Sequence, residues 1–561
     1  MTPPGDPAGS GGGGGSAGRA GGAGAGGGGP AGASGQAGGA GEGGQSGGGG
    51  NVAEVQARLK ATLDDLAAFG AKRAGTPKGL EAGDYLKARL EAAGVAGVTF
   101  ESFSFLQHEV SSSSLAVSAD GVALPMAHDV FAYSGAGHVD AEVVDVGRGH
   151  AEDYAGKDVA GKVAFVVRDP TFHRQAQYNE ALARGAAGLL YASQSPQNLV
   201  QIGTISDPED GAAKMPTITV GKDDGAKVLA ALGAGKAVRA VLDVAAAVHP
   251  AEGRNVIARL PGTDPSGAYL LVGAHYDTWH VGSTDNGTGV AALLELARSL
   301  AAGPARRLGV VLVGFDGEEL GLFGGYDYLR RHVVVGAEPM LAFLNLEMPA
   351  GGPPSNLLRA VASTGGGPLN ASSAEAGLGD HYTLAGLELV PALFGGLVPT
   401  DIQGMYWYGL QGLTTYCETD YYHTTADTPD KIDTEFLARG VGALLGTMRA
   451  LDDEPVQSFG VLDPQLWNAT LISAPAPGGA LDVTVTAKDS AGVLQPGAKV
   501  RVWVDVDDFT RVFDQNVVAD AGGVATVRVP ASALAAGEGK RWLHATAGVT
   551  YPLSERIRKL P

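Results

Sequence analysis

The sequence predicts an α/β protein: a mixed, mainly parallel sheet with helices on both faces, a domain inserted ahead of it, and an antiparallel β-sandwich behind it. Three observations support this expectation. From Asn255, apolar strands alternate regularly with helices (NVIARL, AYLLVGAH, VAALLELARSLAA, RRLGVVLVGF, GYDYLRRH, MLAFLNLE), the pattern of a largely parallel sheet covered on both faces. Residues 126–247 interrupt the approach to that region with short, glycine-punctuated elements. After FGVLDPQLWNATL, the stretches LDVTVTAK, AKVRVWVDVD and VATVRVP alternate apolar and polar residues with period two, separated by DSAG and DAGG turns.

The elements follow in order. Residues 1–50 are Gly, Ala and Ser with almost nothing apolar beyond Ala, so they read as a tether without a core. NVAEVQARLKATLDDLAAFG has helical periodicity, with Val52, Val55, Leu59, Leu63 and Leu66 on one side. RAGTPKG is a turn, GLEAGDYLKARLEAAG a second helix ending at Gly94, and VTFESFSFL a strand. These elements (51–125) join 248–456 as one discontinuous domain. Within the inserted unit, GKVAFVV reads as a buried strand, and YNEALARGAAGLLYAS as helix, glycine turn and strand; MPTITVGKDDGAKVLAALGAG repeats the idea. FLARGVGALLGTMRALDD closes the α/β region as a helix, and 462–561 form the sandwich.

Composition excludes several functions. The 561 residues have a formal net charge of -20, which argues against a nucleic-acid partner. Cys417 is the single cysteine, so neither an intrachain disulfide nor a cysteine-built zinc site is available. No run of about twenty apolar residues exists, so no transmembrane segment is expected. The first residues, MTPPGDPAGSGGGGG, lack the basic and apolar regions of an export signal.

The chemistry gathers at strand ends, where ligands bind in open α/β sheets. AYLLVGA ends in His275, with Asp277 two residues on; VVLVGF runs into Asp316, Glu318 and Glu319; MLAFLNL runs into Glu347. The loop WHVGSTDNGTG adds Asp285, and CETDYYHTTADTPDKID adds His423. Two histidines and several carboxylates without a thiolate suit Zn(II). Two metals sharing a carboxylate form a co-catalytic pair, typically about 3.5–4 Å apart. Asp285 is the natural bridge; His275 and Glu347 complete one metal, Glu319 and His423 the other, giving two Zn(II) per chain. Asp277 orients His275. Glu318 stays uncoordinated and serves as general base and then acid.

The stretches HYDTWHVGSTDNGTGVAALLELAR, FDGEELGLFGG, LNLEM and YYHTTADTPDKID resemble the four blocks of the two-zinc exopeptidase family, which includes bacterial aminopeptidases and glutamate carboxypeptidases. RAGTPKGLEAGDYLKARLEAAG is similar to that family's N-terminal helix pair, and GKVAFVVRDPTFHRQAQYNEALARGAAGLLY resembles a protease-associated domain. The tail resembles immunoglobulin-like modules. The resemblance implies a zinc-exopeptidase fold over roughly 51–455, the same five ligands, Glu318 as base, a peptide or protein substrate, and an extracellular, periplasmic or surface-tethered setting. The sequence departs from the family at Glu347, where Asp is common, and at PTDIQGMYWYG, which offers Asp401 without an adjacent His.

The expected activity is an aminopeptidase, because few Arg or Lys follow Glu347. The alternatives are a carboxypeptidase or dipeptidase, which Arg168 or Arg174 of the inserted unit would serve, a single-zinc aminoacyl cyclase, and a non-catalytic receptor-like binding protein. Tyr422 is a candidate donor to the substrate carbonyl. His280 reads as a pocket-rim residue, Tyr421 as packing, Asp316 as a loop-orienting residue, and Cys417 as a small buried hydrophobe. His150 and His173 have no partners by spacing and read as surface residues.

Overall fold

The computed structural model describes residues 52–206, 214–352, 359–364, 367–387, 389–394, 397–459, 467–489, 491–537, 539–549 and 554–560. The expected tether, 1–50, lies outside them. Helix α1 (Val52–Ala67) buries Leu59, Leu63 and Leu66, while Val52 is exposed and Val55 only partly covered. The expected stripe thus extends one turn beyond the surface that covers it. Each buried leucine contributes about 1.5–3 kcal/mol. Helix α2 (Pro77–Ala92) begins where Thr76 accepts a hydrogen bond from the Gly79 N–H and Pro77 needs no donor.

Strand β1 (Thr99–Ala119) leads into the inserted region. There β2 (Gly137–Asp145), β3 (Val163–Val167), helix α3 (Arg174–Ala183), β4 (Gly188–Ala192), β5 (Thr217–Val220) and helix α4 (Lys222–Gly233) follow. Strand β6 (Val238–Leu260) returns antiparallel to β1 from Ala119↔Val238 to Thr99↔Ile257, with a register shift at Ser111. Its first half pairs with β2 and its last residues pair with β8 (Gly309–Phe315) of the next region. One ribbon therefore spans both regions and joins their sheets.

The α/β region continues with β7 (Tyr269–His275), helix α5 (Thr288–Ala302), β8, helix α6 (Phe323–Tyr328), β9 (Met340–Asn345), β10 (Arg359–Ser363), β11 (Thr383–Gly386), helix α7 (Ile402–Tyr408), β12 (Gln411–Cys417) and helix α8 (Thr434–Asp453). The sheet order is β11-β10-β12-β9-β7-β8-β6. The central strands β12, β9, β7 and β8 are mutually parallel, so their carboxyl ends open on the same edge. One face is covered by α1, α2, α5 and α8 through Leu63, Leu86, Leu293, Leu437 and Leu444. The other face buries Phe315, Phe343, Leu329, Ile402 and Met405. Among the described residues no helix is long and apolar enough to cross a membrane.

The C-terminal strands are β13 (Trp467–Ala476), β14 (Ala480–Asp489), β15 (Lys499–Val506), β16 (Arg511–Val518), β17 (Val524–Val529), β18 (Arg541–Gly548) and β19 (Ser554–Leu560). They form two antiparallel sheets, β13-β14-β17 and β16-β15-β18-β19, around Val483, Val485, Val500, Val502 and Leu543. The alternation read from the sequence is the alternation of inward and outward side chains.

Candidate metal centre

The site is built from the carboxyl ends of the parallel strands. Strand β7 ends on His275; β8 runs into Asp316, Glu318 and Glu319; β9 is followed two residues on by Glu347; the loop after β12 supplies His423. Asp285 lies on the turn Ser283–Gly287, just ahead of α5. Two groups result, His275–Glu318–Glu347 and Asp285–Glu319–His423, all buried but the partly exposed Glu318, each with ligand atoms within 4.8 Å of one another.

Asp285 faces both groups. Its Oδ1 is 3.2 Å from His275 Nε2 and its Oδ2 is 2.9 Å from His423 Nε2. Glu347 Oε1 lies 3.4 Å from His275 Nε2, and Glu319 Oε2 lies 3.0 Å from His423 Nε2. Glu318 stands further off, its Oε2 3.9 Å from His275 Nε2.

The neighbours set the direction of each ligand atom. His275 Nδ1 faces the Asp277 carbonyl at 3.1 Å, and His423 Nδ1 faces the Ile202 carbonyl at 2.9 Å, which turns each Nε2 inward toward the carboxylates. The Asp277 carboxylate is 3.5 Å from His275, and its two oxygens accept the backbone N–H groups of Glu318 and Glu319, each at 3.2 Å. Asp277 thus shapes the glutamate loop as well as facing the imidazole.

The loop turns on Gly317 and Gly321, with φ of +75° and +143°. Asp316 is fully buried and accepts from the Arg254 N–H at 3.1 Å; burial pushes its carboxyl up to about 7.

Charge at the site is unbalanced. Four carboxylates face two imidazoles. Burial pushes Glu318 well above the usual carboxylate range; His275 opposes, and Glu347, Glu319 and Asp401 add to the rise. Burial likewise pushes Glu319 up to about 7 against the pull of His423. For His423 burial works downward, but Glu319 and Asp285 outweigh it and raise the imidazole to about 9. Asp285 Oδ1, Glu319 Oε1 and His423 Nε2 are buried and make no hydrogen bond among the described residues. Converging, orphaned oxygen and imidazole donors with excess negative charge are a set that divalent cations satisfy, so the residues present fit zinc.

Several supporting residues escaped sequence reasoning. Asp427 accepts from the backbone N–H groups of Thr284 at 2.8 Å and Asp285 at 3.1 Å; it stands four residues after His423, inside a segment already singled out. Asn286 donates to the Leu346 carbonyl at 2.8 Å and accepts from the Met348 N–H at 3.0 Å, tying the Asp285 turn to the Glu347 segment. Thr400 donates to Glu347 Oε2 at 2.7 Å. Lys72 is buried and donates to the Val281 carbonyl at 2.7 Å; burial lowers its ammonium to about 8, opposed by Asp427 and Asp277.

The inserted region supplies Ile202, Gln201, whose Nε2 donates to the Tyr422 carbonyl at 3.1 Å, and Thr204, whose hydroxyl donates to the Glu319 carbonyl at 2.6 Å. No local motif marks these three, because only the tertiary fold brings them to the site.

The remaining candidates are placed as follows. Tyr422 stacks on the His423 ring at 3.7 Å, and Arg174 lies close enough to influence its phenol. His280 and Trp279 line the cleft beside Asp285, Glu319 and His423. Tyr421 is half-buried, and Cys417 is buried as expected. The surface reading of two histidines is corrected. His150 stacks on Phe172 at 4.3 Å and faces Asp169 at 3.2 Å; His173 is half-buried at the start of α3, where its Nδ1 accepts from the Gln175 N–H. Spacing missed the partners of His150 because Asp169 and Phe172 reach it through the fold.

Residues 255–448 match the family described as Peptidase family M28, and residues 139–228 match the PA domain. A protein described as a probable glutamate carboxypeptidase from Zea mays is 26% identical over 358 residues, 52% of this chain and 50% of that protein. A protein described as a probable lipoprotein aminopeptidase from Mycobacterium tuberculosis is 29% identical over 198 residues, 35% of this chain and 38% of that protein. The chain thus spans half or less of the length of these curated relatives. The solved structure of a peptidase M28 precursor from Shewanella amazonensis superposes with a TM-score of 0.58 at 20% identity, covering 72% of this chain and 96% of that one, a likeness of fold.

Proposed function

From the match of residues 255–448 to Peptidase family M28, we propose that this chain is a metal-dependent exopeptidase using two zinc ions, most readily as an aminopeptidase. The observation that supports two metals is the division of the Asp285 carboxylate, one oxygen toward each histidine. In this reading His275, Asp285 and Glu347 hold one ion, and Asp285, Glu319 and His423 hold the other. Zinc, when bound, supplies Lewis-acid polarisation of the scissile carbonyl and of water.

The chain's own residues do the rest. Glu318, uncoordinated, accepts a proton at its carboxylate from the attacking water and delivers it to the leaving amine. Asp277 holds the Glu318 and Glu319 backbone so that one side chain is fixed and the other stays free. Tyr422, stacked on His423, is the donor to the substrate carbonyl in this reading. Glu318→Gln tests this: metal content is retained while hydrolysis falls by about a hundredfold or more. Persistent activity would remove Glu318 from the mechanism.

The cleft beside the site is lined by Trp279, His280, Asp285, Glu319, His423 and Asp427, with no Lys or Arg among its described lining. Asp285 and Glu319 are assigned to the metals, so what supports recognition of an amino terminus is that this lining offers no cation for a substrate carboxylate. A second reading rests on Arg174, whose Nε donates to the Thr204 carbonyl at 2.7 Å and whose charge acts on the Tyr422 phenol, as a cation for a substrate carboxylate. Hydrolysis of neutral aminoacyl anilides but not acyl-glutamate dipeptides supports the first reading, and the reverse supports the second. The lipoprotein description of the Mycobacterium relative supports an extracellular or surface-tethered setting, which cell fractionation checks.

A further inference from the structure

The C-terminal sandwich reaches the glutamate loop through one aromatic side chain and one buried charge network. Phe509 stands between β15 and β16 with φ of +62°, a region that residues other than glycine seldom occupy. Its ring lies 5.0 Å from that of Phe323, which lies 5.3 Å from Phe105. Phe509, Phe323, Leu320, Trp279 and Ile202 share one buried cluster. That cluster joins the sandwich to the loop after Glu319, to the loop after His275, and to the inserted region.

Seven residues beyond Phe323, Arg330 is buried and donates to Asp505 Oδ1 at 2.6 Å, with His544 Nε2 at 2.9 Å. The Arg330 guanidinium lies over the Phe509 ring at 4.1 Å. Glu555 faces His544 Nδ1 at 2.7 Å and accepts from the Tyr326 hydroxyl at 3.0 Å. Arg330 bonds through Nη2 alone, its Nε and Nη1 lacking a hydrogen bond among the described residues, so the pair adds little stability and serves to orient the contact. Trp542 and Ile557 of the sandwich also join the cluster holding Ile402 and Met405, on the helix that follows Thr400 and hence Glu347.

We propose that the sandwich is a clamp on the metal centre, with Phe509 as a positioning residue for the Glu318–Glu319 loop and the Asp505–Arg330 pair setting how deeply it enters. The catalytic consequence rests on the peptidase reading; the effect on metal retention does not. In the full-length chain loaded with zinc, Phe509→Ala lowers kcat roughly tenfold or more with KM within about twofold. It also speeds zinc release to a chromogenic chelator about fivefold or more. Phe509→Leu restores most of both.

Val483→Ala, in the sandwich's own core, controls for general destabilisation: it lowers the melting temperature and moves neither quantity. If Phe509→Ala keeps the parent's kcat and zinc release, or if Val483→Ala shifts both equally, the clamp is overturned. If the parent hydrolyses no peptide substrate yet Phe509→Ala alone accelerates zinc release, the clamp stands and the peptidase reading falls.

Discussion

Thr400 shows how a single hydroxyl tunes a ligand. Its hydrogen bond occupies Glu347 Oε2, leaving Oε1 toward His275 Nε2, and Asn345 Nδ2 donates in turn to Thr400 at 2.5 Å. The extra methylene of Glu over the Asp common in the resembling family is thus held in one pose. Thr400→Val preserves shape and removes the donor; zinc affinity is expected to fall about 10–100-fold, read by chelator competition, with the fold intact by circular dichroism. Glu318, Glu319, His275, Asp285 and Glu347 drew notice in the sequence because each ends or follows an apolar strand or precedes a helix, and His423 because its loop, CETDYYHTTADTPDKID, resembles a family block. Thr400 was not, since an isolated threonine among glycines and prolines carries no sign of its partner. Asn286 was similarly silent: its neighbour Asp285 drew attention by charge, while an amide that knits two loops looks like any turn residue.

At the scale of elements, the sandwich docks through side chains whose protonation matters. His544 is buried between Asp505 and Glu555, with Arg330 beside it and the Trp503 ring stacked at 4.7 Å. Burial works to lower its imidazole; Asp505 and Glu555 outweigh burial and Arg330, and the net direction is upward from 6.5. A raised folded value means that its contribution to stability is full below the unfolded value and is lost as pH rises through the folded one. The melting temperature should therefore fall as pH climbs from about 6.5 into the alkaline range. His544→Gln should flatten that fall, and an unchanged slope would remove His544 as its source. The period-two strands around it were plain in the sequence, but their docking face was not. Alternation tells which residues leave the sandwich core without telling what the outer ones meet.

For the whole molecule, the proposed zinc site would couple folding to metal binding. The strand ends gather carboxylates that repel one another when no cation balances them, so in this reading metal-free protein is the less stable form. Free zinc at a hundred times its Kd should add about 2.7 kcal/mol to unfolding stability, read as a rise in melting temperature that chelator reverses. No shift with zinc would mean the buried cluster is not a metal centre. The alternation of strands and helices from Asn255 conveyed the α/β layering because parallel sheets need crossover helices. It could not convey that β6 runs from the inserted region into the α/β region with β1 paired along it. A long two-strand ribbon reads locally as ordinary alternation, and its length emerges only when the partners are paired.

That ribbon changes what an attacking protease would find. Excisable domains are usually joined by exposed, unpaired linkers, where nicking is easiest. Here the ribbon is ladder-paired from Thr99↔Ile257 to Ala119↔Val238 except at Ser111, where the register shifts, with β2 and β8 adding further pairing along β6. Limited digestion therefore meets hydrogen-bonded sheet where a hinge would otherwise lie. Cutting the chain at either crossing severs the strand that binds the two sheets into one, so the inserted region and the metal centre share a common fate.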